Sequence, residues 1–563
     1  MKHTIQACPL PLLILTAAAL LTTGARADIV NSPHDLSISG PGPTAVGEDE
    51  VCIFCHTPHN ASPATPLWNR LLPSLSYEPY SSSTLAASPG QPTGASKLCL
   101  SCHDGTIALG TVLGSPPLGL QETVSGRADI TTDLSDDHPV SFSYTDAITG
   151  GNQELVDPAL LSAGPVHLDA SGQLQCTACH EPHGTGNPDF LVMADSYAAL
   201  CTSCHQLTGW QASAHATSSA TWNGAGPDPW PVSDGVTTAE NACYGCHASH
   251  SAAQPRRLLT SSTEEDGCLA CHSGSVTAVD IATTLQKFSA HPVDASAWVH
   301  DPTEDPVTMP RHVECQDCHD PHSANGSSAS APFASGALEG APGVDIQGLS
   351  IDGARFEYEV CLRCHMNDTT TVIQRQSFEP DLSARFDTSA SSFHPVAGPG
   401  RNPDVPSLIA PLNEGSQIYC SDCHNNDNGP GAGGNGPAGP HGSNWPQLLE
   451  REYTLTDGSS ENFQTYSLCY KCHSRSSILG DESFSEHSKH IEKETTSCAT
   501  CHDPHGVAAG TSSTINNSHL VNFNLNEVLP NSQGDLFFQD NGSRAGTCYL
   551  ECHGEDHIDK NYP

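Results

Sequence analysis

Twenty-four of the twenty-five cysteines fall into twelve clusters, each closed by a histidine. Eleven clusters spell Cys-x-x-Cys-His: Cys52, Cys55 and His56; Cys99, Cys102 and His103; Cys176, Cys179 and His180; Cys201, Cys204 and His205; Cys243, Cys246 and His247; Cys268, Cys271 and His272. The series continues with Cys315, Cys318 and His319; Cys361, Cys364 and His365; Cys420, Cys423 and His424; Cys469, Cys472 and His473; and Cys498, Cys501 and His502. A twelfth copy, Cys548, Cys552 and His553, carries one extra residue, and only Cys8 is left over. At these Cys and His frequencies fewer than roughly 0.1 such pentapeptides would arise by chance. Two thiols one helical turn apart can add to the two vinyl groups of one haem, and the adjacent imidazole then meets the iron as its proximal ligand. The expected cofactor is haem c, twelve per chain. Disulfides are the ordinary reading of so many cysteines in an exported chain, and Cys-x-x-Cys is also half of a zinc site. Neither requires a histidine directly after the second cysteine.

A closed, electron-carrying iron needs a second axial ligand, and the chain can supply it. Of 31 histidines, eighteen remain after the twelve proximal ones and His3 are set aside. Methionine is too scarce, with only Met193, Met309 and Met366 beyond the first residue. Mostly bis-histidine, low-potential haems are expected. His59, His183, His250, His322 and His505 each follow a proximal histidine by three residues. Side chains three apart on a helical turn point the same way, so each must reach a different iron. A second set is His34, His138, His215, His291, His394 and His487, and His441 brings the distal candidates to twelve. His167, His300, His312, His490, His519 and His557 are then surplus, and the pairing stays open. His167 competes with His138, and His312 with His300 and His291.

The motifs alternate between a copy with a trailing histidine and one without, which makes six pairs. The expected layout is a leader at 1–27, then pairs at 28–160, 161–225, 226–290, 291–385, 386–480 and 481–563. Pair five departs from the rule, since Asp427 stands where the trailing histidine would be, and His441 is its candidate substitute. Short helices are expected at each motif, with little sheet and mostly irregular coil around closely packed haems. Segments 325–343 and 425–442, rich in Gly, Ala, Ser and Pro, should be surface loops.

Composition agrees with a core made largely of something other than side chains. Only 37% of residues are hydrophobic and 6% aromatic, against 48 glycines and 43 prolines. Haem faces should bury residues such as Phe54, Leu100 and Leu269. A net charge of -42 excludes nucleic acid as a partner. Lys2, an apolar stretch from about Pro9 to Leu21 and Ala25-Arg26-Ala27 read as a cleaved export signal, and no later run is long enough to span a bilayer.

The chain resembles the multihaem c-type cytochromes of metal-respiring bacteria built from doubled Cys-x-x-Cys-His units. The likeness is carried by the twelve motifs, by Ser32-Pro33-His34-Asp35-Leu36-Ser37 ahead of the first, and by the His-Pro-Val tripeptides at His138, His291 and His394. It implies an electron carrier, not an enzyme with a catalytic side chain. It further implies anaerobic respiration and extracellular electron transfer in a Gram-negative bacterium, in the periplasm, at the outer membrane or outside the cell. Partners would be other redox proteins or an extracellular acceptor such as a metal oxide. Some relatives polymerise, which the surplus histidines would permit as a homopolymer. The rival is a reductase of nitrite, hydroxylamine or sulfur oxyanions with one open iron. No Cys-x-x-Cys-Lys marks such a site, but the haems of Cys420 and Cys423 and of Cys548 and Cys552 are the places to look for one.

Overall fold

A cysteine pair three residues apart needs only one turn of helix, and the local sequence allows little more. In four motifs a proline stands two residues past the proximal histidine (Pro58, Pro182, Pro321, Pro504), which disfavours helical backbone just before it. The computed structural model describes residues 29–62, 67–161, 163–231, 233, 235–293, 301, 312–367, 372–510, 517–542 and 544–563, so the leader lies outside the described residues. Within them, motifs one, three, five, seven, nine and ten occupy single 3-10 turns, such as Cys176–Ala178 and Cys315–Asp317. Motifs two, six and eight close longer helices, α1 (Gly94–His103), α2 (Glu264–His272) and α3 (Glu357–His365). α2 starts where the Thr263 side chain accepts the Asp266 N–H, with three acidic residues in its positive first turn.

The remainder is mostly turns and extended coil, as expected. The one sizeable sheet among the described residues is antiparallel, with strand order β3-β2-β1, where β1 is Phe537–Gly542, β2 Ala545–Cys552 and β3 Glu555–Tyr562. It corrects the expectation of a helix at every motif, because both cysteines of the twelfth lie in β2. Extended pairing on both sides of β2 holds that backbone out of a helical turn.

The chain divides into two bodies. One comprises residues up to Leu75, Pro92–Thr131 and Pro165–Ala194; the other comprises Ser76–Gln91, Thr132–Gly164 and Asp195–Pro563. Apolar residues form small separate clusters around the motifs. One joins Ala45, Phe54, Leu109 and Leu120 with Cys55 and Cys102; another joins Tyr466, Tyr470 and Ile491 with Cys469 and Cys498. Phe54 and Leu100 are buried as anticipated, whereas Leu269 is only half-buried.

The small-residue segments are not merely surface loops. Ala341, Gly343, Asn426 and Gly442 are buried, and a Cβ on Gly442 would lie 2.0 Å from the Thr284 carbonyl oxygen. Lack of side chain is what lets those strands approach.

Arg70 is fully buried and donates to the carbonyls of Ser101, Ala108 and Leu109 at 2.7–3.3 Å, tying the first motif's loop to the second. Arg70→Leu strands those acceptors without donors and is expected to cost about 3 kcal/mol, measurable as a lower denaturation midpoint.

Candidate haem-ligand array

Each proximal imidazole must be aimed before it can bind a metal, and the chain does this with backbone carbonyls. The Nδ1–H of His103 donates to Ala128 at 2.7 Å, His180 to Asp189 at 2.9 Å, His247 to Arg257 at 2.8 Å and His319 to Ala337 at 2.7 Å. His424 likewise donates to Gln447 at 2.8 Å and His502 to His519 at 2.9 Å. A carbonyl oxygen only accepts, so these contacts place the proton on Nδ1 and leave the Nε2 lone pair for a metal. Four of the accepting residues begin a left-handed pair of non-glycine residues: 189–190, 257–258, 447–448 and 519–520. Such backbone is costly and sits where function demands it. These carbonyl acceptors escape a reading based on cysteines and histidines. Their trace in the sequence is a recurrent short segment after the motif, Asn187-Pro188-Asp189-Phe190-Leu191 or Trp445-Pro446-Gln447-Leu448-Leu449.

Opposite the proximal rings stand second imidazoles. With metal–nitrogen bonds of about 2.0 Å and roughly 1.2 Å from nitrogen to ring centre, two imidazoles sharing one iron should have centres about 6.4 Å apart. Ten pairs among the described residues have that separation. His183 faces His56 at 6.0 Å, His322 faces His247 at 6.2 Å, His441 faces His319 at 6.0 Å and His505 faces His424 at 6.0 Å. His34 faces His103 at 6.0 Å, His138 faces His205 at 6.3 Å, His215 faces His272 at 6.2 Å, His291 faces His365 at 6.2 Å, His394 faces His473 at 6.5 Å and His487 faces His502 at 6.3 Å. The donor set therefore fits iron held between two imidazoles.

The pairing follows a pattern that spacing alone left open. His183, His322, His441 and His505 each face the first proximal histidine of the preceding pair, and each leading histidine faces the second proximal histidine of the pair it precedes, except His487, which faces the first, His502. His441 takes the trailing role for pair five, while Asp427 is bound to Lys287 at 2.5 Å. His424 has His505 opposite it, so the suspected open site at Cys420 and Cys423 has a second imidazole in place. His138 holds the position for which His167 competed, and His291 the one for which His312 competed; His300 lies outside the described residues. His59 is exposed on its turn, and His250 is engaged by Asp137 at 2.9 Å.

For seven of these rings burial strongly favours the neutral form, the state that coordinates. It lowers His205, His272, His441, His473 and His502 to about 4, and His487 and His505 to about 3.

The attachment cysteines also touch in chain order. The first cysteine of one pair's second motif meets the first cysteine of the next pair: Cys99 with Cys176, Cys201 with Cys243, Cys268 with Cys315, Cys361 with Cys420 and Cys469 with Cys498. Within pairs the second cysteines lie close enough to interact, Cys55 with Cys102, Cys246 with Cys271, Cys318 with Cys364 and Cys423 with Cys472.

Beside Cys268 and Cys315 lies a buried acidic cluster of Glu264, Glu265, Glu314 and Asp317, where Arg363 pairs with Asp317 at 2.7 Å. Burial, then the charges of Glu264, Glu314 and Asp266, push the Glu265 carboxyl up to about 7. Its neutral form is the one the fold favours, so this contribution to stability is complete below the unfolded value near 4.5 and lost as pH rises through about 7. Glu265→Gln is expected to flatten the fall in thermal midpoint between about pH 4.5 and 7, as read by circular dichroism.

Residues 345–519 match the family of outer membrane cytochromes MtrC/MtrF-like, domains II/IV, and residues 167–208 and 236–277 each match the doubled CXXCH motif family. Over 160 residues the chain is 28% identical to the multiheme cytochrome MtrA of Shewanella baltica (strain OS185), a match covering 26% of this chain and 36% of that protein. The chain thus spans about a third of the length of the curated relative it matches. Doubled motifs, turn-borne cysteines and aimed proximal histidines agree with these likenesses, which mark the chain as a multihaem c-type cytochrome similar to those of metal-respiring bacteria.

Proposed function

We propose that the chain carries electrons along a row of bis-histidine c-type haems, delivering them to other redox proteins or to an extracellular acceptor. The observation that carries this reading is the set of ten opposed imidazole pairs at 6.0–6.5 Å. Haem, when bound, supplies a one-electron carrier at each iron. The polypeptide's part is to hold both axial positions closed, so that each iron is left for electron exchange and not for substrate. Contact between attachment cysteines supports neighbours in space being neighbours in sequence, from the first motif to the third in one body and from the fourth to the eleventh in the other. Short steps between neighbours favour transfer over storage.

Export to the periplasm or outer surface accords with the relatives, whose printed description is an outer membrane cytochrome. Among the described residues no helix is long and apolar enough to cross a membrane.

The test is protein-film voltammetry of the mature holoprotein together with carbon monoxide titration of its reduced form. Rapid reversible exchange of many electrons with little carbon monoxide binding is expected. Slow exchange, or several carbon monoxide-binding irons, would favour the store or the reductase instead.

A further inference from the structure

The twelfth motif departs from those described above in its backbone, in the contact its histidine makes and in its ligand supply. Their cysteines lie on a helical turn that brings both thiols to one side, whereas Cys548 and Cys552 lie in β2, paired with Phe538 and Lys560 and with Glu555 respectively. Four residues of strand advance about 13 Å, and the irregularity between Cys548 and Leu550 does not turn the segment into a helix. The proximal rings described above expose Nε2 and bind a carbonyl through Nδ1. In His553 it is Nε2 that meets the buried Thr496 hydroxyl, at 2.6 Å. That contact occupies the atom an iron would require. Ligand supply differs as well. His34, His138, His215, His291 and His394 each face the second proximal histidine of their pair, but His487 faces the first, His502. Among the described residues no second imidazole is set against the His553 ring. The nearby His557 and His490 rings lie against Tyr562, His557 bonding its hydroxyl at 3.0 Å and His490 the Glu486 carbonyl at 2.8 Å.

We infer that Cys548, Cys552 and His553 hold no haem, so that the chain carries eleven, and that the β1–β3 hairpins are a proteinaceous cap on the eleventh site. Leu550 and Cys552 pack with Val521, Phe523 and Val528 beside Cys501, an attachment cysteine of that site. The motif's extra residue is then a mark of a strand, not of a stretched haem turn. This inference rests on the proposed haem array but is separable from it.

The experiment uses the mature holoprotein. Trypsin cleaves after Arg544 and Lys560, releasing residues 545–560 with Cys548 and Cys552 as the only cysteines. Mass spectrometry of that peptide, a pyridine haemochrome ratio and intact mass are measured together. An unadducted peptide and eleven haems per chain are expected, and the double variant Cys548→Ser, Cys552→Ser should keep the wild-type haem ratio. A haem adduct on residues 545–560, or loss of one haem in the double variant, overturns the inference and leaves the array standing. A chain with no haem on any motif overturns both.

Discussion

Replacing the attachment cysteines of motifs one to eleven with alanine is expected to leave an unfolded chain, seen as loss of far-ultraviolet helical signal and of any cooperative thermal transition. The reason lies in how little the polypeptide buries by itself. Its apolar residues form separate clusters of a few side chains, several of them completed by the cysteines. Each buried apolar side chain contributes about 1.5–3 kcal/mol, while ordering each residue costs about 1–2 kcal/mol in backbone entropy alone. With 48 glycines and 43 prolines the helices are short and cannot make up the difference. Covalent crosslinks to a rigid macrocycle also restrict the unfolded chain much as disulfides do. A folded, cooperative apo form would contradict this account.

The second large effect concerns spin state. His322→Ala is expected to convert one haem, the one attached at Cys243 and Cys246, from low to high spin without changing the haem ratio. His322 belongs to a different pair from those cysteines, yet its ring faces His247 at 6.2 Å and 16° between planes. Carbon monoxide bound per chain should rise by one, and a high-spin resonance should appear in the oxidised protein. Loss of the haem itself, or an unchanged low-spin spectrum, would contradict the ligand rule. The wild-type spectrum should also hold two classes of low-spin signal. Trailing histidines lie nearly parallel to their partners, at 22°, 16°, 13° and 23°. Leading histidines are turned by 66°, 76°, 85°, 48°, 49° and 49°. Parallel imidazoles split the iron d orbitals that accept ligand π density more strongly than crossed ones, which gives rhombic against strongly axial resonances. His487 falls in the crossed class although it faces a first motif, so the angle follows the kind of ligand and not the position of the motif.

The cysteines and proximal histidines were legible from residue type and spacing, because thioether attachment needs both thiols and the imidazole within one turn, a local constraint. The number of available second imidazoles was legible for the same reason, since counting needs no geometry. Helix shortness followed from Pro58, Pro182, Pro321 and Pro504. Which imidazole meets which iron was not legible: His183 and His56 are far apart in sequence, and only the interlocking of successive pairs brings them to 6.0 Å. The carbonyls of Asp189, Arg257, Gln447 and His519 were hidden because any residue carries one, and only a left-handed backbone decides where it points. The burial of Ala341 and Asn426 in segments that look like loops, and the strand at Cys548, likewise depend on partners distant in the chain. Local motif spacing by itself pointed to the cofactor; long-range packing decided which imidazoles face one another, since those contacts join groups that no local rule connects.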